Sequence, residues 1–515
     1  MKNSKWQKVK NILTIFFFII LVFLITVLFF VRTEYSNIIY EELIFHLNVP
    51  LEGSQTPFVG NFFKEEAFAL VIGMLFIIAV GFFMSKMFWH SFTLKIKMKK
   101  GKKTKTKRIK IKNNLRFFVI IPLVIILFVI YLMAKQIKFD EYIYNVKHPT
   151  KIYEKYYVDA KETQLTFPEA KRNLIYIYLE SMESSYGDLS SDISEINNLI
   201  PHLEELAEEN INFSDTNSLG GAYQTFGVGW TMSGMVAQSA GIPLTIPVSP
   251  NSMEFYKKFL PNVITLGDVL EQEGYNQELI MGSYKEFGGR EKYFSQHGHY
   301  ELYDINTAKE KKKIPEDYSV WWGFEDSKLF QYAKEELLNL ADEERPFNFQ
   351  MLTVNTHFDQ GYVEDSCQYD LSNQYATSVV CSDEQVYDFI RWIQEQDFYE
   401  NTTVVITGDH LMMGEYFYQG KKSLDNRRVY NAFINSYVVG GYSNDNTRNR
   451  TFTTLDMYPT TLASMGVKIR GDRLGLGTNL FSGKKTLAEE LGKTKLDSEL
   501  KKTSEFYKNK LLYVK

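Results

Sequence analysis

Val404-Val405-Ile406-Thr407-Gly408-Asp409-His410 is a β-branched apolar run that stops abruptly at Gly-Asp-His. Such a run reads as a strand buried in a parallel sheet. In open α/β sheets, ligands and catalytic groups collect at the carboxyl ends of strands. An acid and an imidazole side by side at that point are well placed to hold a divalent cation. Taken alone, the tripeptide reads equally well as a turn whose Asp caps the next helix, so other segments must decide.

Asn173-Leu-Ile-Tyr-Ile-Tyr-Leu-Glu180-Ser181 repeats the pattern, an apolar strand ending on an acid. Glu180, Asp409 and His410 together offer two carboxylates and an imidazole. That donor set suits Mn²⁺ or Zn²⁺, with Mg²⁺ compatible, and it contains no cysteine of the kind a structural zinc uses. Gly227-Val-Gly-Trp-Thr231-Met-Ser-Gly234-Met-Val brings glycines up to a hydroxyl and then a small-residue helical stretch. A hydroxyl at a helix start beside a cation makes a nucleophile, because dipole and metal both favour its alkoxide and an incoming phosphate. The plainer role of Thr231 is as N-cap of that helix; Thr225 and Ser233 are rival hydroxyls. Thr353-Val-Asn-Thr-His357 is a third strand ending on a polar group, and His357 suits binding a phosphate or protonating a leaving alcohol. Gln296-His297-Gly-His299 and Trp321-Trp322-Gly-Phe-Glu-Asp326 are weaker signals, the latter as pocket wall or core.

Around these motifs, short apolar runs alternate with amphipathic stretches, the pattern of an α/β fold. Strands are expected over Leu174–Leu179, Asn210–Phe213, Glu278–Met281, Phe347–Val354, Thr403–Thr407 and Phe433–Val439. Helices are expected over Ile200–Glu209, Val263–Glu273, Ser327–Leu340 and Asp383–Gln396, with Pro201 fitting the first turn of the earliest.

The net charge of −4 over 515 residues hides an asymmetry: residues 1–134 hold 19 Lys/Arg and 6 Asp/Glu, a net of +13, leaving −17 for the remainder. Three uncharged apolar segments, about 12–31, 67–84 and 117–134, are each long enough to span a bilayer. Lys2, Lys5, Lys8 and Lys10, and 12 Lys/Arg between Lys95 and Arg116, flank them on one side, with Glu34, Glu41, Glu42 and Glu52 on the other. The positive-inside rule then gives a cytoplasmic N-terminus, a basic cytoplasmic loop at 86–116, and everything beyond about 135 outside. A cleaved signal peptide is the rival for the first segment, which is long for that role and lacks an A-x-A site. The expected organisation is a three-helix anchor (1–134), a Tyr- and Lys-rich connector (135–170), an extracytoplasmic α/β domain (171–485) and a charged, solvated tail (486–515). Cys367 and Cys381 both fall outside, where a disulfide is permitted; closing a loop of about 15 residues stabilises by ~3 kcal/mol.

The set Leu-Glu180-Ser, Gly-Trp-Thr231-x-x-Gly-Met-Val, Gly-Ile-Pro-Leu244, Thr-x-Asn-Thr-His357, Gly-Asp409-His410 and Leu455-Asp456-Met-Tyr-Pro459-Thr460, with Arg473-Leu-Gly-Leu-Gly-Thr-Asn-Leu480 after it, resembles the sulfatase-like phosphoglycerol transferases of the alkaline phosphatase superfamily. These include the lipoteichoic acid synthases and the transferase that decorates periplasmic glucans. The resemblance covers about 170–482 and implies an alkaline-phosphatase-like sheet flanked by helices. It implies one metal, usually Mn²⁺, on Glu180, Thr231, Asp409 and His410. It further implies attack by Thr231 on phosphatidylglycerol, release of diacylglycerol, and passage of glycerophosphate to an extracytoplasmic glycan, glycolipid or teichoic-acid-like acceptor. His357 would contact the glycerophosphate and Trp322 would wall the pocket. Lipoteichoic acid synthases generally have five spans, against three expected here, and the Gly-Met-Val and Gly-Ile-Pro-Leu pieces lie nearer the glucan-modifying branch. The Cys-x-Pro-x-Arg motif of true sulfatases is missing at Thr231, and no G-x-x-x-x-G-K-[ST] loop occurs. A phosphoethanolamine transferase or phosphodiesterase is the first alternative, and a non-catalytic membrane-bound glycan-binding relative the second. No nucleic-acid partner is expected.

Overall fold

The computed structural model describes residues 16–17, 19–29, 40, 92–100, 103–111, 115–189, 194–245, 258–318, 320–357, 360–418 and 426–512, the side chains of 92–111, 115–122 and 415–416 excepted. The chain divides into two compact units, Met1–Leu43 with Thr56–Glu141, and Ile44–Gln55 with Tyr142–Lys515.

In the first unit, the expected basic loop contains a two-stranded antiparallel hairpin, Phe92–Lys100 with Lys103–Ile111. Leu115–Gln136 is a 22-residue helix over the third apolar segment, and Leu21 packs with its Ile126 and Val129. The first apolar segment is helical where described, and 67–84 lies outside the described residues. Among the described residues, no helix is long and apolar enough to cross a membrane.

The second unit is built on a six-stranded sheet. Its strands are β1 (Asn173–Leu179), β2 (Asn276–Met281), β3 (Glu301–Tyr303), β4 (Phe347–Leu352), β5 (Thr402–Gly408) and β6 (Asn431–Ile434). They lie in the order β3-β2-β4-β1-β5-β6, parallel except for the β5–β6 pair. β1 shows why its sequence is apolar throughout. Side chains alternate between faces along a strand, and both faces are covered. Leu174, Tyr176 and Tyr178 enter one core with Met235, Leu266 and Leu462. Ile175, Ile177 and Leu179 enter another with Leu203, Leu329, Val379 and Phe389. The helices supplying these residues are α1 (Pro201–Glu209), α2 (Thr231–Ala240), α3 (Leu266–Gln272), α4 (Asp326–Ala341), α5 (Gln374–Gln394) and α6 (Met457–Ser464).

Four of the expected strands match to within a few residues, and β3 was not foreseen. Asn210–Phe213 does not form a strand; Ile211 makes a single bridge to Phe433. α5 begins at Gln374, earlier than the expected Asp383, because Asn373 caps it by accepting from the Ala376 amide at 3.1 Å. Cys367 and Cys381 form a disulfide with Cα atoms 5.7 Å apart, tying the segment before α5 to its second turn.

The tail is not a solvated appendage, and it packs with part of the connector. Ile152 and Tyr153 are buried in the first core together with Leu496, Leu500, Tyr507, Leu511 and Leu512. Apolar residues at this helical spacing outweigh the Lys/Glu content that reads as a tail. The Tyr507 hydroxyl donates to the Pro243 carbonyl at 3.0 Å and accepts from the Thr245 amide at 3.2 Å.

Glu278 is a carboxyl in an apolar strand, 5% exposed. Burial, then Glu336 and Glu301, push it up to about 8, against Lys311. A carboxyl raised on folding favours the folded state only while protonated, so its contribution is lost as pH rises from about 4.5 through 8. Glu278→Gln is expected to melt at nearly the wild-type temperature at pH 5 and well above it at pH 9. The difference is on the order of 4 kcal/mol, and parallel melting curves at all pH values would contradict it.

Candidate active site

Leu179 lies across from Gly408 in the β1–β5 register, so the next residue of each strand, Glu180 and Asp409, emerge side by side. The Asp409 amide donates to the Leu179 carbonyl at 3.1 Å. Ser181 then turns the chain at φ 53°, a left-handed conformation that a non-glycine residue holds only when its surroundings impose it.

Glu180, Asp409 and His410 are all buried, with one ligand atom of each within 4.8 Å of the others. The His410 Nδ1 donates to the Leu411 carbonyl at 2.7 Å, because a carbonyl can only accept. In the neutral imidazole, Nε2 therefore carries a lone pair, and it faces Glu180 Oε1 and Asp409 Oδ2, each at 3.3 Å. Asp409 Oδ1 is already engaged by the Ser181 and His410 amides at 2.8 and 2.7 Å. Asp409 Oδ2 and His410 Nε2 have no hydrogen-bond partner. Buried orphans are costly, and three converging acceptors require a positive charge between them. The electrostatics carry the same message. Burial pushes the Glu180 carboxyl up, but His357 and His410 outweigh it and hold the group well below the usual range. Burial and then Glu180 push Asp409 up. Burial lowers His410, while Asp409 and Glu180 raise it far more. Two hard carboxylate oxygens and one imidazole nitrogen fit a divalent cation.

Thr231 is not the N-cap of α2. That position is Trp230, and Ser233 closes the cap by accepting from the Trp230 amide at 3.1 Å and donating to its carbonyl at 2.7 Å. Ser233 is thereby removed as a rival hydroxyl. The Thr231 hydroxyl is left to donate to Glu180 Oε2 at 3.1 Å. The rival Thr225 is buried elsewhere with its hydroxyl unpaired. α2 reaches this position because residue 234 is glycine: a Cβ there would stand 2.2 Å from the Asp409 carbonyl. Gln238 on the same helix donates to the Gly408 and Asp409 carbonyls at 2.9 and 3.2 Å. Gly234→Ala is expected to cost about 1–3 kcal/mol by overpacking and to weaken metal binding. Calorimetry and metal titration check this, and a wild-type melt with wild-type affinity would contradict the packing argument.

His357 follows β4, its ring 4.6 Å from Trp322 and 6.0 Å from Trp321. Trp321 stacks with Tyr362 at 6.1 Å, and Phe287 lies 5.4 Å from Trp322. Asp326, fully buried, fixes this loop by accepting from the Val354 and Asn355 amides at 2.8 and 2.9 Å. The structure thus brings Glu180, Thr231, Asp409 and His410 together and puts Trp322 against His357. His297 stands apart as a structural residue, its Nδ1 2.8 Å from Asp268 and its Nε2 2.9 Å from the Phe259 carbonyl. His299 is exposed and pairs with Glu271 at 2.6 Å.

Sequence reasoning missed two residues. Arg290 is a buried guanidinium, lowered to about 10 by burial, with Glu180, Asp304, Glu286 and Asp409 acting against that shift. The Gly288-Gly289 pair before it, both at positive φ, is the available signal. Glu183 is a buried carboxylate that accepts from Arg427 Nε at 3.0 Å, the Met412 amide at 3.0 Å and the Tyr418 hydroxyl at 3.1 Å. It ties the loop after β1 to the segment after His410, and nothing at position 183 marked it in advance.

The chain is similar to several known proteins. The sequence model of the sulfatase family matches residues 172–467. Phosphoglycerol transferase I of Salmonella choleraesuis is 32% identical over 332 residues, 63% of this chain and 41% of that protein. Its counterpart in Shigella flexneri is 31% identical over 334 residues, with the same shares. The chain therefore spans about two fifths of the length of these curated relatives. Among solved structures, the lipoteichoic acid synthase LtaP from Listeria monocytogenes is 18% identical, with a TM-score of 0.47, covering 62% of this chain and 79% of that one. The family match covers more than half of the chain and encloses all three members of the buried cluster, and this protein belongs to the sulfatase family.

Proposed function

We propose that this protein is a membrane-anchored, metal-dependent phosphoglycerol transferase whose catalytic domain works outside the cell. The observation that carries the reading is the Thr231 hydroxyl held 3.1 Å from Glu180 beside a buried acid–imidazole cluster. When bound by Glu180, Asp409, His410 and the Thr231 oxygen, a divalent cation, Mn²⁺ in the first instance, supplies Lewis-acid stabilisation of the hydroxyl's anion and of phosphate charge. The protein's own residues do the rest. Thr231 Oγ1 passes its proton toward Glu180 Oε2, to which it already donates, and attacks phosphorus of phosphatidylglycerol; the bond to the diacylglycerol oxygen breaks, leaving glycerophosphate on Thr231. His357 is at hand to protonate the leaving alcohol, and Trp322 walls the headgroup site. A hydroxyl of a glycan or glycolipid then takes the glycerophosphate and restores Thr231. The names of the phosphoglycerol transferase I relatives support phosphoglycerol as the group transferred.

The anchor is proposed as residues 1–134 with spans at about 12–31, 67–84 and 117–134. A lipid donor requires a nucleophile tethered near a bilayer, which such an anchor provides. Phosphoethanolamine transfer is a second reading, favoured by the Trp321 and Trp322 rings at His357, since tryptophan faces attract ammonium groups. The deciding experiment offers headgroup-labelled phosphatidylglycerol and phosphatidylethanolamine to the purified protein with Mn²⁺. Diacylglycerol release from phosphatidylglycerol, with label on the protein, is the expected result. Preference for phosphatidylethanolamine would replace this reading with the second one.

A further inference from the structure

A cavity of about 680 Å³ opens in the second unit between Tyr223, the 445–451 segment and residues 483–493. Its size is that of a small-molecule site. Arg450 and Glu489 in its wall neutralise each other at 2.7 Å. Lys485 and Lys493 also line it, and among the described residues neither forms an ion pair, while Asp445 is the one further acid in the wall. The cavity therefore keeps an excess of positive charge in a part of the chain that is strongly acidic overall. Lys493 lies 4.3 Å from the Tyr223 ring, whose other close cation is Arg428 at 3.7 Å. Asn446 and Thr451 add hydrogen-bonding groups suited to hydroxyls.

One wall residue of the cavity, Tyr223, is followed in the chain by a residue packed against the loops of the site. Gln224, next to Tyr223, accepts from the Leu411 amide at 2.7 Å, one residue past His410. A Cβ on Gly229, two residues before Thr231, would stand 3.2 Å from Gln224 Nε2. The residue next to the cavity's Tyr223 thus touches both the loop after His410 and the loop before Thr231.

We infer that this cavity binds the acceptor, and that the acceptor is an anionic, hydroxyl-rich chain: a polyol or sugar carrying phosphate or carboxylate. The acceptor role rests on the transferase reading; the binding of such an anion does not. The test uses the full chain in chelator, so that no metal centre draws phosphate, and measures binding of glycerol 1-phosphate, glucuronate and neutral glycerol by calorimetry. At least one of the two anions is expected to bind, with affinity falling as salt rises. Lys485→Gln with Lys493→Gln is expected to weaken that binding roughly tenfold, equivalent to about 1.4 kcal/mol. Binding of glycerol 1-phosphate alone identifies a phosphate-bearing acceptor, and binding of glucuronate alone a uronate-bearing one. No binding of either anion, equal binding by the double variant, or glycerol binding as tightly as its phosphate overturns the inference. Lipid cleavage by the wild-type chain with Mn²⁺ is measured separately; its failure would sink the transferase reading and leave the cavity result standing.

Discussion

Thr231→Ala is expected to lose lipid cleavage by more than about 10³-fold, the scale of losing a nucleophile, while the domain stays folded. The side chain is not the helix cap, a task Ser233 performs through Trp230. Only the bond to Glu180 Oε2 disappears, at a cost of about 1 kcal/mol. Thr231→Ser keeps the hydroxyl and is expected to retain measurable cleavage and to trap label on the protein. Diacylglycerol release and retained label are the readouts, with a thermal melt as control. Wild-type turnover by Thr231→Ala would move the nucleophile elsewhere, and Thr225 would be the next hydroxyl to test.

Chelation is expected to stop turnover and to lower the melting temperature, and Mn²⁺ to restore both. The second readout follows from the geometry rather than from the chemistry. Without a cation, Asp409 Oδ2 and His410 Nε2 remain buried without hydrogen bonds, and each such orphan costs about 1–3 kcal/mol. A metal at 100 times its dissociation constant stabilises the folded state by about 2.7 kcal/mol. Full activity in chelator would exclude a metal-dependent mechanism, and an unchanged melting temperature would argue that the cluster is satisfied by protons alone.

Much of this site was legible because Glu180, His357, Asp409 and His410 follow strands whose apolar runs are conspicuous, while Thr231 opens a helix after a glycine-rich stretch. β1, β4 and β5 lie next to one another, so acids and imidazoles at their carboxyl ends had to converge. Residues whose role depends on distant partners were not legible. Glu183 looks like any loop acid until Arg427, 244 positions away, is seen against it. Arg290 follows a Gly-Gly pair that signals a turn but not the buried carboxylates its guanidinium answers. The C-terminal residues misled in the opposite direction. Their Lys and Glu content reads as a solvated tail, yet Leu496 and Leu500 from one helix and Tyr507, Leu511 and Leu512 from the next are buried in the core.

Tyr507 holds Pro243 and Thr245 directly behind the helix that begins at Thr231. During synthesis, therefore, the nucleophile exists long before it can be armed. Asp409 follows Thr231 by about 180 residues, and the tyrosine that latches the loop behind its helix comes almost 100 residues later still. On the proposed reading, a chain still emerging from the ribosome carries a threonine of ordinary reactivity until the residues of its cluster and of the latch behind its helix have followed it. Removing Tyr507 and the residues after it is expected to free the Pro243–Thr245 turn that follows this helix.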